Sequence, residues 1–128
     1  MTVLERLYKL FWWLPFGRVP EVSAAELNEI LSNGQQLQIV DVRTGTEWHK
    51  SRIPGALNVP IQELRRRLDS LSLESGRPIV AICLSAHRSI PAVRLLRARG
   101  FSNAVQLQGG MLAWWKADYA TETDEGSD

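Results

Sequence analysis

The chain contains one cysteine, Cys83. It ends the apolar run 78–83 (PIVAIC) and is followed by the polar stretch Leu84-Ser85-Ala86-His87-Arg88-Ser89. A thiol where a strand meets a helix is placed for chemistry. The N–H groups of a first helical turn have no intrahelical acceptor, and the helix dipole adds partial positive charge there. Arg88 adds a full charge nearby. All three favour thiolate over thiol, and the thiolate is the nucleophile. The same N–H groups could hold a second sulfur attached to the first. The plainer alternative is a small buried hydrophobe that happens to end a strand. The order strand, cysteine, polar loop, arginine, helix argues for the nucleophile. A second apolar run, 37–42 (LQIVDV), carries Asp41 and is followed by Arg43. A buried carboxylate needs a partner, so this pair is expected to be structural or to form the pocket edge rather than to act as acid and base.

The remaining chemistry-bearing residues are sparse. One cysteine allows no internal disulfide, and with two separate histidines it makes no zinc cage, so neither metal nor cofactor is expected. The cysteine usage suits a reducing, cytoplasmic compartment. His87 in the loop is equally readable as an acid for an acceptor or as a solvent-facing residue, and His49 reads as surface. Fifteen basic and fourteen acidic side chains nearly cancel. The one basic cluster, Arg65-Arg66-Arg67, reads as the solvated face of a helix, so nucleic acid is not an expected partner.

The elements that must position Cys83 alternate along the chain. Residues 19–22 are extended. Ser23 and Glu26 form a capping box for a helix over 24–32, which Asn33-Gly34 closes. Strand 37–42, a loop or single turn over 44–50, a short strand 57–59 and a helix over 61–68 follow. After strand 78–83 the pattern predicts a helix over 85–99 that tolerates Pro91 near its start. Strand 104–107, a turn at Gly109-Gly110 and a helix over 111–117 complete the series. Strands joined by helical crossovers imply an α/β fold: a small parallel-stranded central sheet with helices on both faces. In such folds ligands bind beyond the carboxyl ends of the strands, where Asp41, Arg43 and Cys83 all arrive.

Three units are expected: an N-terminal extension 1–18, a domain 19–117, and an acidic, disordered tail 118–128. The run 10–17 (LFWWLPFG) is far shorter than the roughly 20 apolar residues of a membrane span. Glu5 and the lack of a small-residue cleavage site argue against a signal peptide. Val3, Leu4, Leu7, Phe11 and Leu14 give residues 2–13 helical spacing. That amphipathic helix is expected to pack on its own domain or a partner, with membrane contact through Trp12 and Trp13 the less favoured alternative.

From Val22 to Trp115 the sequence resembles the rhodanese homology domain, in particular its single-domain, thiosulfate sulfurtransferase-like members. The resemblance is carried by Asp41-Val42-Arg43, by Glu47-Trp48, and by Ile53-Pro54-Gly55-Ala56-Leu57-Asn58-Val59-Pro60. Cys83 to Ser89 match the active loop, and Gly109-Gly110-Met111 with Trp114 match the closing motif. The resemblance implies that Cys83 accepts a sulfane sulfur from thiosulfate or a persulfide. It implies that Leu84, Ser85, Ala86, His87, Arg88 and Ser89 hold that sulfur, and that Asp41 and Arg43 tie the loop to the sheet. A thiol, cyanide or a partner protein's thiol would then remove it. No second cysteine exists to resolve the persulfide internally, so the acceptor must come from outside.

Four residues separate Cys83 from Arg88. The related phosphatase architecture has one more, so the shorter cradle favours sulfur over phosphate. The departures are specific. Ala86 stands where many relatives have glycine, and a left-handed backbone there would strain an alanine. Ser51-Arg52 replaces Gly–His. The loop carries little positive charge beyond Arg88, which disfavours thiosulfate as donor. Trp114 is expected to pack the last helix on the sheet and Trp115 to face the N-terminal helix or a partner. Two rival functions remain: a non-catalytic or regulatory module that docks a partner, and a phosphate or arsenate enzyme.

Overall fold

The computed structural model describes residues 19–35 and 37–124. The predicted amphipathic helix over 2–13 lies outside them. The elements in order are β1 (Glu21–Val22), α1 (Ala24–Ser32), β2 (Gln38–Asp41), α2 (Gly45–Lys50), β3 (Leu57–Asn58), α3 (Ile61–Arg67), β4 (Ile79–Ile82), α4 (Ser89–Ala98), β5 (Ala104–Leu107) and α5 (Gly110–Lys116). A 3-10 turn, Leu68–Ser70, extends α3. The five strands form one parallel sheet in the order β1-β5-β4-β2-β3. No helix among the described residues is long and apolar enough to cross a membrane.

The period of two along a strand divides the core into two layers. On one face Val40, Ile79, Ala81, Cys83 and Ala104 pack against Leu64 of α3 and Val93 and Leu96 of α4. On the other, Ile39, Val80, Ile82 and Leu107 pack against Leu27 of α1 and Met111 and Trp114 of α5. Helices on both faces leave β4 fully buried, which explains its uninterrupted apolar sequence.

Local signals set most element ends. Ser23 caps α1, with both halves of the capping box formed with Glu26. Thr44 and Glu47 form a second capping box, which makes 45–50 a helix rather than a loop. One boundary differs. α4 starts at Ser89, not at residue 85, because Ala86 takes a left-handed conformation (φ 72°) that no helix accommodates, and the segment loops around Cys83 first. Pro91 falls in the first turn of α4, where its missing N–H costs nothing.

The tail also differs from expectation. Composition predicts disorder from residue 118, yet residues 118–124 are placed by contacts. Trp114 Nε1 donates to the Ala120 carbonyl (2.9 Å), and Tyr119 packs edge-on against the Trp114 ring. Arg52 and Glu122 exchange both backbone hydrogen bonds. The Arg52 guanidinium stacks on Trp48, 4.0 Å from the ring centroid, and donates to both oxygens of Asp124. Asp124 also contacts His49 Nδ1, so His49 is partnered although exposed. Acidic composition alone reads as a solvated tail; the partner that orders it, Arg52, lies some seventy positions earlier.

The turn into α5 is the tightest place in the fold. Gly109 and Gly110 have φ of 73° and 59°. A Cβ on Gly110 would lie 2.4 Å from the Cys83 carbonyl oxygen and 2.6 Å from Leu84 backbone atoms. This approach lets Met111 N–H donate to the Cys83 carbonyl (2.8 Å) and Leu112 N–H to that of Leu84 (3.0 Å).

Gly110→Ala combines a left-handed backbone with a clash against backbone that cannot yield, and is expected to cost about 3 kcal/mol or more, read as a lower urea midpoint. The Arg52 pair holds the Asp124 carboxyl at about 2 instead of its ordinary 3.8. This link therefore persists above pH 4 and is lost as the pH falls toward 2. An NMR titration should find the Asp124 midpoint near 2 in the native chain, and much closer to the ordinary value in Arg52→Ala.

Candidate functional site

Cys83 continues the alternation Ile79, Ala81 of β4 and projects to the α4 side, where it is 1% exposed. Its Sγ lies 3.4 Å from the Ser89 hydroxyl, at the first residue of α4. The intervening residues turn over the strand end. Leu84 packs into the α5-side core, and Ala86 supplies the left-handed turn. Ser85 Oγ and His87 Nδ1 hydrogen-bond each other on the exposed side (2.9 Å), which ties His87 within the loop.

Arg88 closes the loop through a partner from another element. Its Nη1 and Nη2 donate to the two carboxylate oxygens of Glu47 on α2, at 2.8 and 3.0 Å. Glu47 is also half of the α2 capping box. The Arg88 guanidinium, first, and the hydrogen bonds from Thr44 hold its carboxyl at about 2, against a smaller opposing effect of burial. The pair is therefore ionised throughout the neutral range. Arg88 is pushed up, mainly by its hydrogen bonds to Glu47 and against an opposing effect of burial, with nearby Cys83 and Asp41 contributing less. The arginine thus lies within the field of the cysteine, but its charge is largely offset by a bidentate carboxylate.

Asp41 and Arg43 meet in a closed pair. Arg43 Nε and Nη2 donate to the Asp41 carboxylate at 3.0 and 2.7 Å, and the Arg43 backbone N–H donates to the same group. Both residues are buried. Arg43 Nη2 reaches the Ser51 carbonyl (2.7 Å), and Asn58 Nδ2 donates to the carbonyls of Asp41 and Arg43. Trp115 lies over Arg43 (5.9 Å) and donates to Ser51 Oγ. It therefore covers this pair, a contact that sequence reasoning did not foresee. With both carboxylate oxygens engaged, the pair clamps the end of β2 beside the loop.

Sequence reasoning brought Cys83, its loop, Asp41 and Arg43 to one sheet edge, and the structure places them there. It left out three residues. Glu47 had a local signal, the capping box with Thr44, but nothing local said that it also holds Arg88. Gln106 on β5 and Glu21 on β1 had none. Ser89 Oγ donates to Gln106 Oε1 (2.7 Å), and Gln106 Nε2 donates to Glu21 Oε2 (2.9 Å). A groove of about 470 Å³ lined by Leu31, Leu37, Ile39, Pro54 and Leu57 opens at the N-terminal ends of β2 and β3, away from Cys83.

Residues 23–117 match the model of the Rhodanese-like domain family. A Bacillus subtilis protein, YrkF, is 31% identical over 96 residues, which are 75% of this chain and 51% of that protein. The chain thus spans about half the length of that relative. A protein of Allochromatium vinosum named a sulfurtransferase is 29% identical over 108 residues, 84% of this chain and 99% of that one. The solution structure of a rhodanese-like domain from Anabaena sp. superposes with a TM-score of 0.76 at 33% identity, covering 87% of this chain and 85% of that one. Sheet order, loop and closing turn thus agree with a match over most of the domain, and the chain belongs to the rhodanese-like domain family.

Proposed function

We propose that the chain is a sulfurtransferase in which Cys83 carries a sulfane sulfur from a donor to an acceptor. The observation that carries this reading is the loop itself. A buried cysteine ends the central strand, and the next five residues wrap it and close on an arginine clamped from a separate helix. The relationship to a protein named a sulfurtransferase supports the same chemistry.

In the first step the Cys83 thiolate attacks the outer sulfur of a persulfide R–S–SH. The new S–S bond forms as the old one breaks, giving Cys83–S–SH and the thiolate RS⁻. With thiosulfate the leaving group is sulfite. In the second step a thiolate or cyanide attacks the outer sulfur, and Cys83 leaves as thiolate. Atoms and charge balance without a metal or redox partner. Cys83 is the catalytic residue, residues 84–89 form the sulfur-holding loop, and Asp41 and Arg43 position the strand end beside it.

The Arg88–Glu47 pair bears on the donor. A dianion such as thiosulfate gains little from an arginine whose charge already faces a carboxylate. A persulfide, with at most one charge on the reacting end, loses less. The donor class favoured by this site is therefore a low-molecular-weight or protein persulfide, and the acceptor an external thiol.

Intact mass of the reduced protein after exposure to a small persulfide should rise by about 32 Da, one sulfur on an activated thiolate. The increment should disappear with cyanide and be absent in Cys83→Ala. If neither persulfide nor thiosulfate adds it, the sulfurtransferase reading is wrong and a docking module takes its place; turnover of an aryl phosphate would point instead to phosphoryl chemistry. Arg88→Ala should slow loading about tenfold or more, because the loop loses the charge-assisted contact to Glu47 that closes it. Glu47→Gln should raise the thiosulfate-to-persulfide loading ratio severalfold, because it uncovers the charge of Arg88.

A further inference from the structure

The hydrogen bonds behind Cys83 have a direction. A carboxylate only accepts, so the Glu21 oxygen must receive an N–H from Gln106. This turns the Gln106 carbonyl, which also only accepts, toward Ser89 at 2.7 Å. Ser89 has one hydroxyl proton, and it goes to Gln106. What remains toward Cys83, at 3.4 Å, is an oxygen lone pair. The contact is then satisfied only if Cys83 supplies the proton from its S–H. From the surface inward, a carboxylate on the edge strand thus sets the direction of the hydrogen bonds that end at the buried sulfur.

Topology makes this possible. β1 is two residues long, and its register sets Glu21 opposite Gln106 on β5. Gln106 lies on the same face as Ala104, toward α4, where Ser89 and Cys83 are. Ser89 and Gln106 are buried, so water is a poor substitute for either bond.

We propose that Glu21 and Gln106 are positioning residues for the reaction at Cys83: through the Ser89 hydroxyl they hold the proton on the resting sulfur, so that losing this proton costs a hydrogen bond whichever way the hydroxyl then points. Loss of the proton leaves a sulfur that can only accept. Ser89 then either donates to it and leaves the Gln106 carbonyl unpaired, or keeps its bond to Gln106 and presents a lone pair to an anion. Both cost a hydrogen bond. Arg88, whose field includes Cys83 and Asp41, acts in the opposite sense. Arg88 is itself paired with Glu47, and Asp41 with Arg43. The relay thus sets a threshold for activation that the loop arginine works against. The inference takes Cys83 as the reacting sulfur of the proposed function, but its test reads proton loss rather than sulfur loading, so either can fail alone.

The experiment is the pH–rate profile of Cys83 alkylation by iodoacetamide in the native chain, Glu21→Ala, Ser89→Ala and the double variant. Without the carboxylate, Gln106 is free to turn its amide N–H toward Ser89, and the hydroxyl proton is released to the sulfur. The Glu21→Ala profile should move to lower pH by about half a unit to one unit, with three- to tenfold faster alkylation below its midpoint, as one hydrogen bond implies. In the Ser89→Ala background Glu21→Ala should move the profile by little or nothing, because the link is already cut. Gln106→Met, which removes the acceptor of the Ser89 proton, should reproduce the Glu21→Ala shift. Equal shifts with and without Ser89 would make the effect one of bare charge and overturn the relay. So would an unmoved profile in both Glu21→Ala and Gln106→Met. Glu21 is exposed, so its variant tests the idea even where a change at Gln106 impairs folding.

Discussion

The close approach of Gly110 to the backbone of Cys83 and Leu84 is the constraint on which the site depends. A strand that ends at a loop leaves its last carbonyls without partners, because the sheet no longer continues beside them. Here α5 supplies those partners from its first turn, which requires two successive left-handed residues and no side chain at the second. The segment after β4 is therefore held at its base while the part from Ser85 to His87 stays at the surface. The same contact seats Met111 and Trp114 in the core, so loop geometry and core packing are one arrangement.

Around that anchored base the chain distributes charge by pairing it. Asp41 and Arg43 are both buried and bind each other in a fork, as burial of charge requires. Arg88 and Glu47 form the second fork, half-buried at the mouth of the loop. Arg52 and Asp124 form the third, which ties residues 118–124 across α2. The first keeps the end of β2 in place and the second offsets the charge of Arg88 at the mouth of the loop. The third covers the connection between α2 and β3 and holds Trp48, whose indole donates to the Ala56 carbonyl. A family landmark, the acidic-aromatic pair Glu47-Trp48, thus has two distinct physical duties one residue apart.

Much of this was legible in the chain alone, and the reason differs by element. Ser23 with Glu26, Asn33-Gly34 and Gly109-Gly110 act over a few residues, so the ends of α1 and the turn into α5 could be read from neighbours. The buried strands betrayed themselves by apolar runs, and Cys83 with Arg88 by order and spacing. Helix-compatible residues fill 85–88 and predict an earlier start for α4; only the need to wrap the strand end turns Ala86 left-handed. The acidic, small composition of residues 118–124 predicts disorder, while the arginine that orders them is remote in sequence.

The parallel α/β architecture, the cysteine at the end of the central strand and the arginine that follows it can all be read along the chain, since each rests on local pattern. Tertiary structure decided which carboxylate meets which arginine, that Trp115 covers the Asp41–Arg43 pair, and that Glu21 and Gln106 stand behind Ser89 and Cys83. Glu21 and Gln106 are 85 positions apart. Only strand order and register bring them together, and a hydrogen bond, unlike a helix or a turn, leaves no periodic trace in the sequence that makes it.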